Sequence, residues 1–370
     1  MINSKMIWIG AGIVVVAAGW IYNSQKMVDN VDKATASSGI TTAGNQPVQS
    51  LNQYANMCRT AIKKIESFNC LDGVIIPVTI NGGETPAYKD YKMNMDCDRP
   101  ALLPFMKGNE GQCIPGSRLI NQSDGLNQVA ILCSRQAIRP LDSVYFDLIA
   151  IVSHNVSTGD TCWFASQGSE VTPEGIDASN VPSPGGEKGD PSSHEKATAF
   201  WTPPSDIGNL KPKDRCGYCH DNDPFMYSPY MGQVWDKMPV NPLGLYDNIG
   251  EDFKIWEENV SLSTAGNTCV GCHRLGVQFT SENGLKQSVG LLKMDNTDEW
   301  AETYPQTHWN PVGNFHSLAQ WDVIYKKDAH AMLKCHKLYS TLQAAEGKEA
   351  YGPAKKAFAK AGCIAKPIPK

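Results

Sequence analysis

The sequence predicts an α+β protein: an apolar N-terminal anchor helix, a disulfide-stapled β-rich domain, and a mainly α-helical domain behind it. Three observations predict this. Met6 to Tyr22 runs 17 residues without a charge. β-branched and aromatic runs bounded by turn residues cluster between Cys70 and about Ser166. Apolar residues fall at three- and four-residue spacings after Leu51, after Tyr230 and after Asp322.

Lys5 and the uncharged stretch after it form an export-type N-terminus over residues 1–23. The stretch is at the short edge of a membrane span and longer than most cleaved signal cores. Val16-Ala17-Ala18 offers a small-residue cleavage site, but Trp20 and Ile21 carry the apolar run past it. An uncleaved signal anchor is expected ahead of a cleaved peptide. Either outcome places residues 24–370 outside the cytoplasm, anchored on the periplasmic side of the inner membrane or free in the periplasm. Residues 24–50 are rich in small polar residues and read as a flexible linker.

The β-rich domain is expected over 51–170. It opens with a helix from about Leu51 to Phe68, where Tyr54, Cys58, Ala61, Ile62 and Ile65 keep helical spacing. Strands are expected at 73–80, 128–133 and 143–153. Residues 171–200, with Val181-Pro-Ser-Pro-Gly-Gly186, form a loop. The helical domain follows over 201–321. A basic helical tail covers 322–370, with helices from Asp322 to about Ala345 and from Ala354 to Ala361.

Composition excludes little: 41% hydrophobic, 19% charged, net charge -5. That balance argues against nucleic acid as a partner. The charge is segregated, however. Residues 322–370 hold ten Lys against four acids, a balance of +6, so the remainder carries -11. A basic tail on an acidic body suits docking to a charged partner or lipid headgroups, or simply a solvated helix face.

Two pentapeptides carry the chemistry: Cys216-Gly-Tyr-Cys219-His220 and Cys269-Val-Gly-Cys272-His273. Cys-x-x-Cys-His is the attachment spacing of c-type haem. Two thiols one helical turn apart add to the two vinyl groups of one porphyrin, and the adjacent imidazole becomes the proximal ligand. Two covalently bound haem c groups are therefore expected, with His220 and His273 on the irons. A structural zinc site would not require a His after each second cysteine, and the gap from Cys219 to Cys269 is too long for a compact ribbon. A thioredoxin-like pair lacks a βαβ setting. His308 and His316 are the candidate distal ligands, with Met231 and Met238 as thioether alternatives. Removing the four motif cysteines leaves Cys58, Cys70, Cys97, Cys113, Cys133, Cys162, Cys335 and Cys363, enough for four disulfides in an exported protein. Cys335–Cys363 is the pair that proximity favours.

At these two motifs the chain resembles bacterial multihaem (dihaem) c-type cytochromes. The resemblance covers roughly a third of the chain. It implies thioether attachment at Cys216, Cys219, Cys269 and Cys272, and proximal ligation at His220 and His273. The expected function is electron transfer between redox partners, with a redox partner protein docking. The alternatives are a dihaem enzyme (peroxidase, reductase or oxygenase) with one open haem site, and a structural or sensory module.

Overall fold

Ser50 starts the first helix by accepting from the Gln53 backbone N–H, while the Gln53 side chain accepts from the Ser50 N–H in return. Both ends of this capping box satisfy donors that a helix N-terminus leaves open. The helix buries Leu51, Tyr54, Ala55 and Cys58, a stripe at i, i+3, i+4 and i+7. This is a computed structural model, and it describes residues 49–81, 83–92, 95, 114–166, 174–225, 229–239, 243–271, 274–288 and 318–370.

The helices are α1 (Leu51–Ala61), α2 (Pro191–Phe200), α3 (Pro204–Gly208), α4 (Cys216–Cys219), α5 (Pro229–Gly232), α6 (Phe279–Ser288), α7 (Leu318–Ile324), α8 (Lys326–Ala344) and α9 (Tyr351–Lys360). The strands are β1 (Val74–Ile75), β2 (Arg118–Asn121), β3 (Asn127–Ser134), β4 (Tyr145–Phe146), β5 (Leu148–Asn155), β6 (Asp160–Ala165), β7 (Ile176–Asp177), β8 (Asp247–Asn248), β9 (Val260–Thr264) and β10 (Cys363–Pro367).

Six strands form one sheet in the order β1-β2-β3-β5-β6-β8. All its pairings are antiparallel except the last, where Asp160 and Thr161 pair in parallel with Asp247 and Asn248. The β3–β5 register runs from Asn127↔Asn155 to Ser134↔Leu148. Buried Val129, Ile131 and Cys133 alternate along β3, as a face packed on a core requires. That core joins α1 to the sheet and to Trp201, Tyr246, Phe253, Trp256 and Ile368. The chain between the two motifs is thus attached to the β-sheet, through strand β8 and these aromatics.

This corrects the expected fold class. A mainly α-helical domain over 201–321 is not what forms. In its described part, α3, α4 and α5 are 5, 4 and 4 residues long, and only α6 reaches 10. Prolines recur through the segment, and Pro204, Pro212 and Pro229 each open a helical turn that ends within five residues. The expected helix after Tyr230 stops at Gly232, where Met231, Val234 and Met238 pack with Ile76, Leu119 and Phe225 instead. The expected N-terminal helix lies outside the described residues. Among those described, no helix is long and apolar enough to cross a membrane.

Among the described residues, three disulfides hold this fabric: Cys58–Cys162, Cys70–Cys133 and Cys335–Cys363. The first ties α1 to β6, and the second ties the turn at Cys70 to β3. The third is the pair expected from proximity, and it links α8 to β10 at the end of the α8–α9 hairpin. Cys97 and Cys113 lie outside the described residues.

Between β3 and β5 the chain is held by arginines. Arg139 makes a two-pronged pair with Asp147, both contacts at 2.6 Å, and Asp147 also accepts from the Gln136 and Ala137 N–H groups. Fully buried Arg135 donates to the carbonyls of Pro140 and Ser143 behind it. Burial alone would raise the Asp147 carboxyl, but Arg139 and the two N–H donors outweigh it and hold the group below its ordinary value. A depressed carboxyl stabilises the fold above its unfolded pKa, and that stability is lost as pH falls through the folded value. Asp147→Asn should therefore cost about 2–3 kcal/mol at neutral pH, with the gap from wild type closing below about pH 4. Urea midpoints followed against pH check this; a gap independent of pH would show that the charge is not what Asp147 contributes.

Candidate functional site

The first motif begins after a single 3-10 turn, Pro212–Asp214, whose proline suits the opening position. The Cys216 carbonyl accepts from the His220 N–H at 2.9 Å, closing one turn over the motif. Both thiols therefore lie one turn apart, with the imidazole directly after them. Gly217 sits against Trp256, where a side-chain carbon would come within 3.2 Å of the indole. Its Trp256 neighbour is fixed by donating Nε1–H to the Gly208 carbonyl at 3.1 Å.

His220 Nδ1 lies 2.9 Å from the Pro224 carbonyl oxygen. A carbonyl only accepts, so Nδ1 carries the proton and Nε2 presents its lone pair. Burial pushes the imidazole down to about 4, with the Pro224 bond opposing it, so the ring is neutral at physiological pH. The Trp163 ring meets it nearly edge-on, with centroids 4.8 Å apart. Trp163 is itself held at both ends. Its Nε1–H donates to Asn248 Oδ1 at 2.8 Å, and its backbone N–H donates to the buried Tyr54 hydroxyl at 2.9 Å. The Tyr246 hydroxyl donates to the His220 carbonyl at 2.8 Å. Sheet, first helix and motif thus share one set of contacts.

Burial pushes the Cys216 thiol up to about 12 and the Cys219 thiol up to about 11. Both stay protonated at neutral pH. The thiolate is the nucleophile in thiol–disulfide exchange, so this pair is not poised as a redox-active dithiol.

Of the second motif, Cys269 opens a 3-10 turn, Cys269–Gly271, with Asn267 Oδ1 accepting its N–H at 3.0 Å. Burial pushes its thiol up to about 11. Asp328 on α8 anchors the preceding residue, accepting from the Thr268 N–H at 2.8 Å and hydroxyl at 2.5 Å. Cys272 and His273 lie outside the described residues, as do His308 and His316, so the expected proximal ligand at the second motif and both distal candidates have no place in the described geometry.

The residues just after each motif are joined. Asp223 Oδ1 pairs with Arg274 Nη2 at 2.7 Å, both side chains almost fully buried. Asn222 donates to the Arg274 carbonyl at 3.0 Å, and Arg274 Nη1 donates to the Gly244 carbonyl at 2.6 Å. Asp221 accepts from the Gln278 N–H at 2.5 Å, and Gly276 lies so close that a side chain there would meet the Asp221 carboxylate. Tyr218 and Phe279 add a ring contact at 5.3 Å. In the sequence Asp221, Asn222 and Asp223, directly after the first motif, read equally as acid–base groups near a haem and as helix caps, and Arg274 carries no signal.

Two further described histidines are buried with structural partners. His154 is fully buried on β5 with Nδ1 2.9 Å from the Thr161 hydroxyl. His336 is buried on α8 with Nε2 3.2 Å from the Gln278 carbonyl, and its neighbour Cys335 is in a disulfide. Met231 and Met238 are buried in an apolar cluster.

The expectation of two covalently bound haem c groups is corrected by these placements. Among the described residues no group of three or more His, Cys, Asp or Glu side chains is placed to hold a metal ion. Six cysteines are closed in three disulfides. Only Cys216, Cys219 and His220 form a complete described set, so the count of two is withdrawn. Beside Gly217 and Tyr218 lies a small cleft of about 40 Å³, bordered also by Arg215, Trp256, Glu258, Asn259 and Gln278. No protein family, curated protein or solved structure matches the chain.

Proposed function

We propose that this chain is an exported electron-transfer protein of c-type cytochrome character, acting on the periplasmic side of the membrane through its first motif. One observation carries the reading. While six cysteines are closed in disulfides, Cys216 and Cys219 stay unpaired one turn apart, and His220 is locked by the Pro224 carbonyl with Nε2 left to bind. Two thioether sites and a neutral imidazole held by a carbonyl at its other nitrogen are the donor set for one covalently attached porphyrin. Such a group supplies an iron that cycles between ferric and ferrous forms. The chain orients the imidazole through the Pro224 carbonyl, fixes the His220 backbone through the Tyr246 hydroxyl, and packs Trp163 against the ring. The disulfides support an oxidising compartment, where such attachment and export go together.

The test is the absorption spectrum of the purified ferrous protein, with and without carbon monoxide, and the haem-to-protein ratio. A covalent haem that Cys216→Ser with Cys219→Ser removes supports the reading. A protein without covalent haem sinks it. A spectrum unchanged by carbon monoxide means filled axial positions and an electron carrier; a shifted one means an open iron.

A further inference from the structure

Helix α8 carries a charge pattern that its packing does not use. Ala329, Met332, Leu333, Cys335 and His336 form its buried face, against Leu262, Leu275 and Phe358. On the opposite face Lys327, His330, Lys334, Lys337 and Thr341 are exposed. Their spacings of three and four residues line them up in one stripe about 20 Å long.

The acids of this region are placed elsewhere. Asp322 pairs with Lys326, and the Asp328 carboxylate is turned to Thr268. Glu346 and Glu349 lie past the helix end. Lys355, Lys356 and Lys360 extend the positive surface on exposed positions of α9. Among the described residues no acid forms an ion pair with exposed Lys327, Lys334 or Lys337, and residues 1–321 sum to -11. Like charges concentrated this way destabilise slightly on their own, and they steer and orient an oppositely charged partner. The stripe is fixed relative to the site as well. Asp328 ties α8 to the residue before Cys269, and His336 ties it to Gln278, whose N–H is bound by Asp221 behind the first motif.

We infer that the exposed face of α8, centred on Lys327, Lys334 and Lys337, is the docking surface for a protein partner with a carboxylate-rich face. The inference rests on the electron-transfer reading for what the partner does, but not for whether it binds. The helix turns its apolar face into the protein, so it has nothing to insert into lipid. Charge complementarity with a protein surface is the occupant that fits. Exposed Val323 and Ile324 on α7, just ahead of the stripe, make lipid the alternative to exclude.

The probe is poly-L-glutamate, with binding followed against ionic strength for the full chain. Lys327→Glu, Lys334→Glu and Lys337→Glu combined should weaken binding about tenfold or more. A control with the same charge change on other exposed lysines, Lys89→Glu, Lys188→Glu and Lys196→Glu, should weaken it far less. Carbodiimide cross-linking should place the new amide bonds on Lys327, Lys334 and Lys337. Equal loss in both triple variants, or cross-links spread over all lysines, would overturn the inference by showing a net-charge effect. Binding to phosphatidylglycerol vesicles that needs the three lysines, without binding to poly-L-glutamate, would overturn it in favour of a lipid surface. Repeating the titration on the Cys216→Ser, Cys219→Ser variant separates the two readings. Unchanged binding there supports the surface even if the redox group is absent, and lost binding despite an intact fold by circular dichroism overturns its independence from the site.

Discussion

Replacing Cys58 and Cys162 together by alanine is expected to lower the unfolding free energy by about 4–5 kcal/mol, the largest effect expected of the disulfides among the described residues. The bond spans a sequence separation of 104, and the entropy it removes from the unfolded chain grows with the logarithm of that length. It also holds α1 against β6, where Tyr54 accepts from the Trp163 N–H beside His220. The loss should thus be accompanied by a changed near-ultraviolet signal from Trp163. Urea unfolding of the oxidised double variant against wild type measures it. A loss under about 1 kcal/mol would mean that the α1–β6 contact stands without the bond.

Arg274→Met should cost about 3–5 kcal/mol, because it leaves Asp223 buried without its cation. Burial already pushes the Asp223 carboxyl up to about 7 even with Arg274 beside it. Without Arg274 the group must stay protonated or open the structure. Adding Asp223→Asn should recover part of the loss, since the amide carries no charge to desolvate. The double-mutant cycle gives the coupling directly. Losses that simply add would show that the Arg274 side chain acts through its bond to the Gly244 carbonyl rather than through Asp223.

Local signals were legible where they rest on neighbours in sequence. The start of the Leu51 helix follows from its apolar stripe, although the helix ends at Ala61 rather than near Phe68. The strands around 128–133 and 143–153 follow from β-branched runs and appear as β3 and β5. Cys335–Cys363 follows from proximity, because a short loop brings the two cysteines together with few competitors. The helical reading of the segment after Phe200 failed for an equally physical reason. Its apolar residues kept helical spacing, but prolines and Gly232 interrupt it, and the sheet offered those residues a larger surface to bury against.

The site divides along the same line. By itself the sequence determined the order of thiol, thiol and imidazole at Cys216, Cys219 and His220, because a one-turn spacing is a local property. Only the tertiary structure decided what surrounds them. The Pro224 carbonyl on Nδ1, the Trp163 edge from β6, and the Asp223–Arg274 pair that joins residues 51 apart are contacts between distant segments. No spacing rule encodes such contacts. They exist because folding buries these groups together, and buried polar groups must then find partners.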